Sequence, residues 1–204
     1  MSQKKLKVIA YSDYICPFCY IGYHRIELLK KEYNLDVEWR PFEIHPETPK
    51  NGALTEELPF PKGYLEMAFA NVKRLADEDG LKLKFSGKLP NSRLALYISE
   101  FARKKGKFEE FHKLVLGAYW LEGKDIGNKE LLLDLAESIG LDRSETEEYL
   151  NTNEPFEAVQ QSLKEIRRYG INGVPAFIIE DKLIYGAQPY EIFKKVINEI
   201  LDTK

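Results

Sequence analysis

Hydrophobic residues from Leu6 to Tyr11 form a compact run centred on Val8 and Ile9. That is the pattern of a short strand buried on both faces. Ser12-Asp13 interrupts it, and Pro17 suits the first turn of a helix, where a missing N–H costs nothing. From there to about Tyr33, Gly22, Ile26, Leu29 and Tyr33 recur at helical spacing. A glycine inside a helix costs about 1 kcal/mol relative to alanine, so Gly22 points to a close contact between helix and sheet. Asn34 ends the helix. Asp36 to Phe42 then alternates, with Val37 and Trp39 on one face, and predicts a second strand. Two strands joined by a helix predict a parallel βαβ unit.

Pro46, Pro49, Gly52, Pro59, Pro61 and Gly63 mark the next stretch as a loop leading into a second structural region. Helical patterns follow. Leu65, Phe69, Val72 and Leu75 carry one, ended by Gly80. Asn91 and Ser92 start another, with Leu94, Ile98, Phe101 and Ala102. Phe108, Phe111, Val115, Ala118 and Tyr119 mark a third. Asn128 caps a fourth, with Leu131, Leu132, Leu135 and Ile139. Ser144 and Glu147 read as the capping box of a short helix ending near Leu150. Asn153 and Pro155 start a helix through Val159, Leu163, Ile166 and Tyr169. Val174 to Ile179 reads as a strand, Asp181-Lys182 as a tight turn, and Leu183-Ile184-Tyr185 as its partner strand. A last helix starts at Pro189.

The predicted order is β-α-β, a helical block, then α-β-β-α. The fold class is therefore α/β: a thioredoxin-like fold with an all-helical domain inserted in its middle. The expected limits are residues 1–60 and 153–204 for the discontinuous thioredoxin-like domain and 61–152 for the insertion.

Composition narrows the function classes. Among 204 residues, 30 Lys and Arg nearly balance 33 Asp and Glu, for a net charge of -3. Such a balance offers no electrostatic footprint for nucleic acid or an anionic membrane. No apolar run approaches the roughly 20 residues of a membrane span. The apolar stretch near the N-terminus is too short for the core of a signal peptide, so a cytoplasmic location is expected.

The chain has 2 cysteines, Cys16 and Cys19. A cross-link between them would close too short a loop to restrict the unfolded chain much, so scaffolding explains them poorly. Cys16-Pro17-Phe18-Cys19 sits where the first strand meets the first helix. The unpaired N–H groups and dipole of a helix start favour an anion by roughly 0.3–2 kcal/mol, and the thiolate is the nucleophilic form of cysteine. Cys16 precedes the helix, while Cys19 lies one turn inside and faces back toward it. The layout predicts Cys16 as attacking thiol and Cys19 as resolving thiol. Half of a zinc site is the competing reading, with His24 or His45 as partners. Structural zinc wants four clustered ligands, and neither a second CxxC nor an HxxxH pattern is present. No metal is therefore expected, and His24, His45 and His112 read as surface or packing residues. Gly173-Val174-Pro175 is the second candidate. Either Pro175 opens a strand, where its lost N–H is tolerated, or the Val174–Pro175 bond is cis and the turn faces the cysteines. In the second case Val174 would offer its backbone to an added peptide or glutathione strand.

These segments resemble the DsbA-type thiol–disulfide oxidoreductases, most closely the FrnE-like branch that lacks a signal peptide. The resembling residues are Ser12-Asp13, Cys16 to Gly22, Arg40-Pro41-Phe42, Gly170 to Phe177 and Gly186 to Pro189. The resemblance implies Cys16 as nucleophile, Cys19 as resolving thiol and Pro175 as the cis-proline, with Pro17 and Phe18 tuning the pair. The periplasmic oxidant of the family has a His at the position of Phe18, and Phe18 cannot donate a hydrogen bond. A potential between those of thioredoxin and DsbA, about −270 and −120 mV, is expected. Expected partners are protein or small-molecule thiols and disulfides, glutathione among them as a co-substrate. No cofactor beyond the redox-active disulfide is expected, and the chain reads as a monomer or homodimer. Kappa-class glutathione transferases and hydroxychromene-carboxylate isomerases share the insertion but typically carry Ser at the first Cys position. Glutaredoxins use Cys-Pro-aromatic-Cys in about half this length. A non-enzymatic, chaperone-like binder is the remaining alternative.

Overall fold

The computed structural model describes residues 4–59, 61 and 63–203. Met1, Ser2, Gln3, Phe60, Lys62 and Lys204, which the expected domain limits include, lie outside the described residues. The chain runs β1 (Leu6–Ser12), α1 (Pro17–Glu32), β2 (Leu35–Pro41), β3 (Ala53–Leu54), α2 (Tyr64–Glu78) and β4 (Lys88–Leu89). It continues through α3 (Arg93–Lys104), α4 (Phe108–Trp120), α5 (Lys129–Ser138), α6 (Arg143–Leu150) and α7 (Glu154–Arg168). It ends with β5 (Ala176–Ile179), β6 (Lys182–Tyr185) and α8 (Tyr190–Asp202). This is a thioredoxin-like order in which α2 to α6 stand between the βαβ unit and α7.

The main sheet has the order β2-β1-β5-β6. β1 and β2 are parallel, with Val8 opposite Val37 and Ala10 opposite Trp39. β5 runs antiparallel to both β1 and β6. In β1, Leu6, Val8 and Ala10 are buried on one face, while on the other Lys7 is exposed, Ile9 half-buried and Tyr11 buried, so burial on both faces is confined to the end of the strand nearest the cysteines. Leu6, Val8 and Ala10 pack with Ile26 and Leu29 of α1 and Phe193 and Ile197 of α8. Tyr11 packs on the other face with Ile166 of α7 and Ile178 of β5. Helices therefore cover both faces of the sheet.

The helical block has its own core, in which Leu96, Phe101, Phe111, Val115, Leu132 and Ala136 meet. Tyr14, Ile15 and Tyr20 belong to the same cluster. The turn before the cysteines is thus built into the core of the insertion as well as into the sheet.

Three local readings need correction. The short helix α6 is capped by Asp142, whose carboxylate accepts from Glu145 N–H at 2.9 Å, and Ser144 lies inside the helix. Asp142 and Glu145 have the same spacing as Ser144 and Glu147, and only Asp142 has the extended backbone of a cap. The β5–β6 turn is Glu180-Asp181, not Asp181-Lys182, because Ile179 pairs with Lys182. Glu180 adopts φ of 56° and is held by β1: its N–H reaches Lys7 O and its carboxylate accepts from Lys7 N–H. Val174 and Pro175 precede β5, whose pairing begins at Ala176. The loop after β2 also contains β3, paired with β4; strands of two residues carry no readable alternation.

Gly22 has a packing reason. A Cβ there would lie 2.7 Å from Phe177 Cζ and 3.6 Å from Pro175 Cγ. Phe177 is fully buried against Trp39 and Phe193 and cannot swing away. Overpacking costs about 1–3 kcal/mol, against a helix-propensity gain of about 1 kcal/mol. Gly22→Ala is therefore expected to lower stability by up to about 2 kcal/mol. Urea denaturation checks this: a lower midpoint is expected, and an equal or higher one contradicts the contact.

Candidate active site

Cys16 is the N-cap of α1, with extended backbone and no side-chain bond to the helix N–H groups. Its carbonyl accepts from Cys19 N–H at 3.0 Å and Tyr20 N–H at 3.3 Å, and Pro17 fills the first position. The first turn of α1 carries no acidic residue, so nothing there opposes an anion at the helix start. Both cysteines are free thiols. Cys19 is fully buried, and Cys16 is 5% exposed.

The two sulfurs differ in environment. Burial pushes the Cys19 thiol well up, and the neighbouring Cys16 pushes it the same way. The Ser12 hydroxyl and the Asp13 backbone N–H oppose this but do not reverse it. Cys19 stays protonated near neutrality.

Cys16 Sγ lies 3.7 Å from Val174 O, across 158 positions of sequence. The Val174–Pro175 peptide bond is cis. Pro175 O accepts from Gly186 N–H at 2.8 Å, which fixes the turn to the end of β6. Val174 stands ahead of the strand ladder, with its carbonyl facing the sulfur. The structure thus brings Cys16, Cys19, Val174 and Pro175 to one place.

The turn entering the site is held from three sides. Trp120 Nε1 donates to Tyr14 O at 2.8 Å, and the Tyr14 hydroxyl meets His112 Nδ1 at 3.1 Å. Asp13, fully buried, accepts from Ile44 N–H at 2.8 Å and Ile15 N–H at 3.3 Å. Arg25 of α1, also buried, pairs with Asp79 at 2.8 Å and donates to the carbonyls of Ala187 and Gln188. That network ties α1 to the end of α2 and to the entry of α8.

A cleft of about 350 Å³ opens beside Cys16. Ile15, Pro17 and Phe18 form one wall, and Ile44, Phe69 and Trp120 help close the others. Phe18 also packs on Val72 and Leu75 of α2. His45 lines the cleft, with Nδ1 3.0 Å from Glu47 Oε1. His112 instead lies in an aromatic cluster with Tyr14, Tyr23, Trp39 and Phe108, where burial lowers its pKa to about 3 and keeps it neutral. Sequence reasoning located the cysteines and the Val-Pro turn. It missed the cleft walls from α2 and α4, the place of His45, and the burial of Asp13, which it read as the end of a strand and as part of a resembling segment. An acid three residues before Cys16, set among apolar residues, was the available signal.

The DSBA-like thioredoxin domain model matches residues 7–198. The chain belongs to the DSBA-like thioredoxin domain family. Two similar relatives span nearly their whole length. The protein YwbO of Bacillus subtilis is 32% identical over 193 residues, covering 93% of this chain and 94% of its own. A 2-hydroxychromene-2-carboxylate isomerase of Pseudomonas putida is 22% identical over 179 residues, covering 86% of each. Among solved structures, the DsbA-type protein of Streptomyces coelicolor superposes with a TM-score of 0.84 at 23% identity, covering 98% of this chain and 91% of that one. The cytosolic disulfide reductase DsbM of Pseudomonas aeruginosa gives 0.68 at 18%, covering 96% and 100%. These superpositions show the DSBA-like fold.

Proposed function

We propose that the protein is a thiol–disulfide oxidoreductase with Cys16 as nucleophile and Cys19 as resolving thiol. The Cys16 thiolate attacks one sulfur of a substrate disulfide. That S–S bond breaks, the departing sulfur leaves as a thiolate and takes a proton, and a mixed disulfide forms on Cys16. Cys19 then loses its proton and attacks the Cys16 sulfur. The second substrate thiolate departs, and the protein holds a Cys16–Cys19 disulfide. Two electrons have passed to the substrate. Two equivalents of a thiol such as glutathione, or one dithiol, restore the pair, and the same steps run backwards oxidise a dithiol.

The observation that carries this reading is the asymmetry of the pair. One sulfur caps a helix at the wall of a cleft, and the other is buried and protonated one turn inside. An attacking thiol needs access, while a resolving thiol needs only to reach its neighbour. Val174 would hold the backbone of a bound peptide or glutathione beside Cys16. Pro17 and Phe18 would tune the pair, Phe18 without a hydrogen bond to the sulfur. DsbM has been solved with glutathione, which supports glutathione as reductant and a cytoplasmic location for this chain. The FrnE-like branch, residues 61–152 as the insertion, and a monomer or homodimer belong to the same reading.

A second reading, a glutathione-dependent isomerase, draws on the 2-hydroxychromene-2-carboxylate isomerase match and the apolar cleft. It gives Cys19 no task. Reduction of insulin disulfides by the wild-type chain and by Cys16→Ser, with glutathione as electron source, tests the proposal. Turnover that depends on Cys16 supports it, and turnover retained without Cys16 contradicts it.

A further inference from the structure

Asp13 is a carboxyl with no contact to solvent, placed three residues before Cys16. Its two oxygens serve different segments. Oδ2 accepts from Ile44 N–H at 2.8 Å, in the segment after β2, and Oδ1 accepts from Ile15 N–H at 3.3 Å, in the turn before α1. The Ser92 hydroxyl, at the start of α3, also bonds to it. Its backbone carbonyl accepts from Cys16 N–H at 3.2 Å. Ile15, Cys16 and Ile44 all line the cleft. One buried group therefore joins the three segments that meet at the nucleophile.

We infer that Asp13 is a positioning residue that holds Ile15 and Cys16 against the far wall of the cleft, and that a proton on it releases the turn in mild acid. This rests on the proposed role of Cys16 as nucleophile. The ionised carboxyl accepts both N–H bonds at full strength, one on each oxygen. A proton on Oδ1, the oxygen with the longer bond, weakens the acceptor for Ile15 N–H. Burial pushes the Asp13 pKa up to about 6, and the nearby Glu43 pushes the same way, while the N–H and hydroxyl donors hold it down. The groups facing Asp13 are few. Glu43 after β2 is paired with Arg93 of α3 at 2.9 Å, and Tyr14 and Tyr119 are neutral. The cysteines complete the set, Cys19 lying against the Asp13 backbone.

The sign for stability runs opposite to the sign for positioning. The folded pKa lies above the ordinary carboxylate value, so between about pH 4 and 6 the fold binds a proton that the unfolded chain does not. Acidification through that window adds stability from this group. A loss of Cys16 reactivity there is thus not unfolding driven by Asp13, and a melting curve recorded at each pH separates the two.

The test is the rate of Cys16 alkylation by iodoacetamide in the wild type and in Asp13→Asn, from pH 5 to 7.5. Asparagine offers one acceptor oxygen and resembles the protonated acid at every pH. At pH 7.5 the wild type is expected to react faster by on the order of tenfold, the scale of one charge-assisted hydrogen bond. At pH 5 the ratio is expected to fall to about two, where roughly nine-tenths of wild-type Asp13 is protonated. A ratio that does not change with pH, or a variant that reacts as fast as the wild type at pH 7.5, overturns the inference. If Asp13→Asn does not fold, hydrogen exchange of the Ile15 amide in the wild type decides. After correction for intrinsic rates, protection is expected to drop below pH 6, and constant protection overturns it. Alkylation reads thiol chemistry whether or not the protein exchanges disulfides. A failed insulin assay with the expected alkylation profile would remove the proposed function and leave the positioning role standing.

Discussion

Cys16→Ser is expected to bring insulin-disulfide reduction down to the uncatalysed background, a loss of roughly a thousandfold or more. Serine has the same shape in a slightly smaller volume and is a favoured N-cap, so the fold is retained. The hydroxyl does not ionise near neutrality, and among the described residues the Cys16 side chain donates to the Val174 carbonyl, which is no base. His45 lines the cleft but bonds to Glu47, and His112 is buried away from the cleft in its aromatic cluster. The melting temperature should stay near the wild-type value while turnover disappears. Residual turnover above background in a folded Cys16→Ser protein would move the chemistry elsewhere.

Cys19→Ala is expected to stop the reaction one step later. Attack by Cys16 is unaffected, but no second thiol can displace the bound half of the substrate. With oxidised glutathione as probe, one glutathione per chain should accumulate on Cys16, visible by mass spectrometry and removed by dithiothreitol. The wild type should carry far less of this adduct at the same time point, because Cys19 resolves it within the molecule. The effective concentration of a neighbouring group reaches about 10⁵ M or more in well-oriented cases, so resolution outruns glutathione in solution. Alanine is close to cysteine in shape and leaves only a small void at a fully buried site. Equal adduct levels in wild type and variant would deny Cys19 its role.

Much of this arrangement was legible in the sequence, and the reason is local. The run from Leu6 to Tyr11, the break at Ser12-Asp13 and Pro17 together specify strand, turn and helix within twelve residues. The cysteine pair therefore falls at a helix start without any tertiary knowledge. The unexpected glycine at position 22 foretold a close contact, which turned out to be Phe177 and Pro175. Asn128 was read as a cap and accepts from Glu130 and Leu131 N–H. What the sequence did not reveal depends on distance through space. Phe69 and Trp120 line the cleft with Cys16 only once the insertion folds back on α1, Ile44 only once β2 pairs with β1, and no spacing records that. His45 and His112 looked alike as isolated histidines, yet one lines the cleft and the other is sealed among aromatic rings. Asp13 read as a strand breaker because its hydrogen-bond partners, Ile44 and Ser92, lie on separate segments. The misplaced cap at Ser144 shows a smaller limit: two overlapping patterns fit, and only backbone geometry chose Asp142.

The central claim is that the two sulfurs are unequal, Cys16 reactive and Cys19 held as a buried thiol. Limited iodoacetamide labelling of the reduced wild-type protein at pH 7, followed by peptide mass spectrometry, tests it most directly. The account predicts label on Cys16 with Cys19 unmodified until the chain is unfolded. Label that appears first on Cys19, or on both at equal rates, would contradict it.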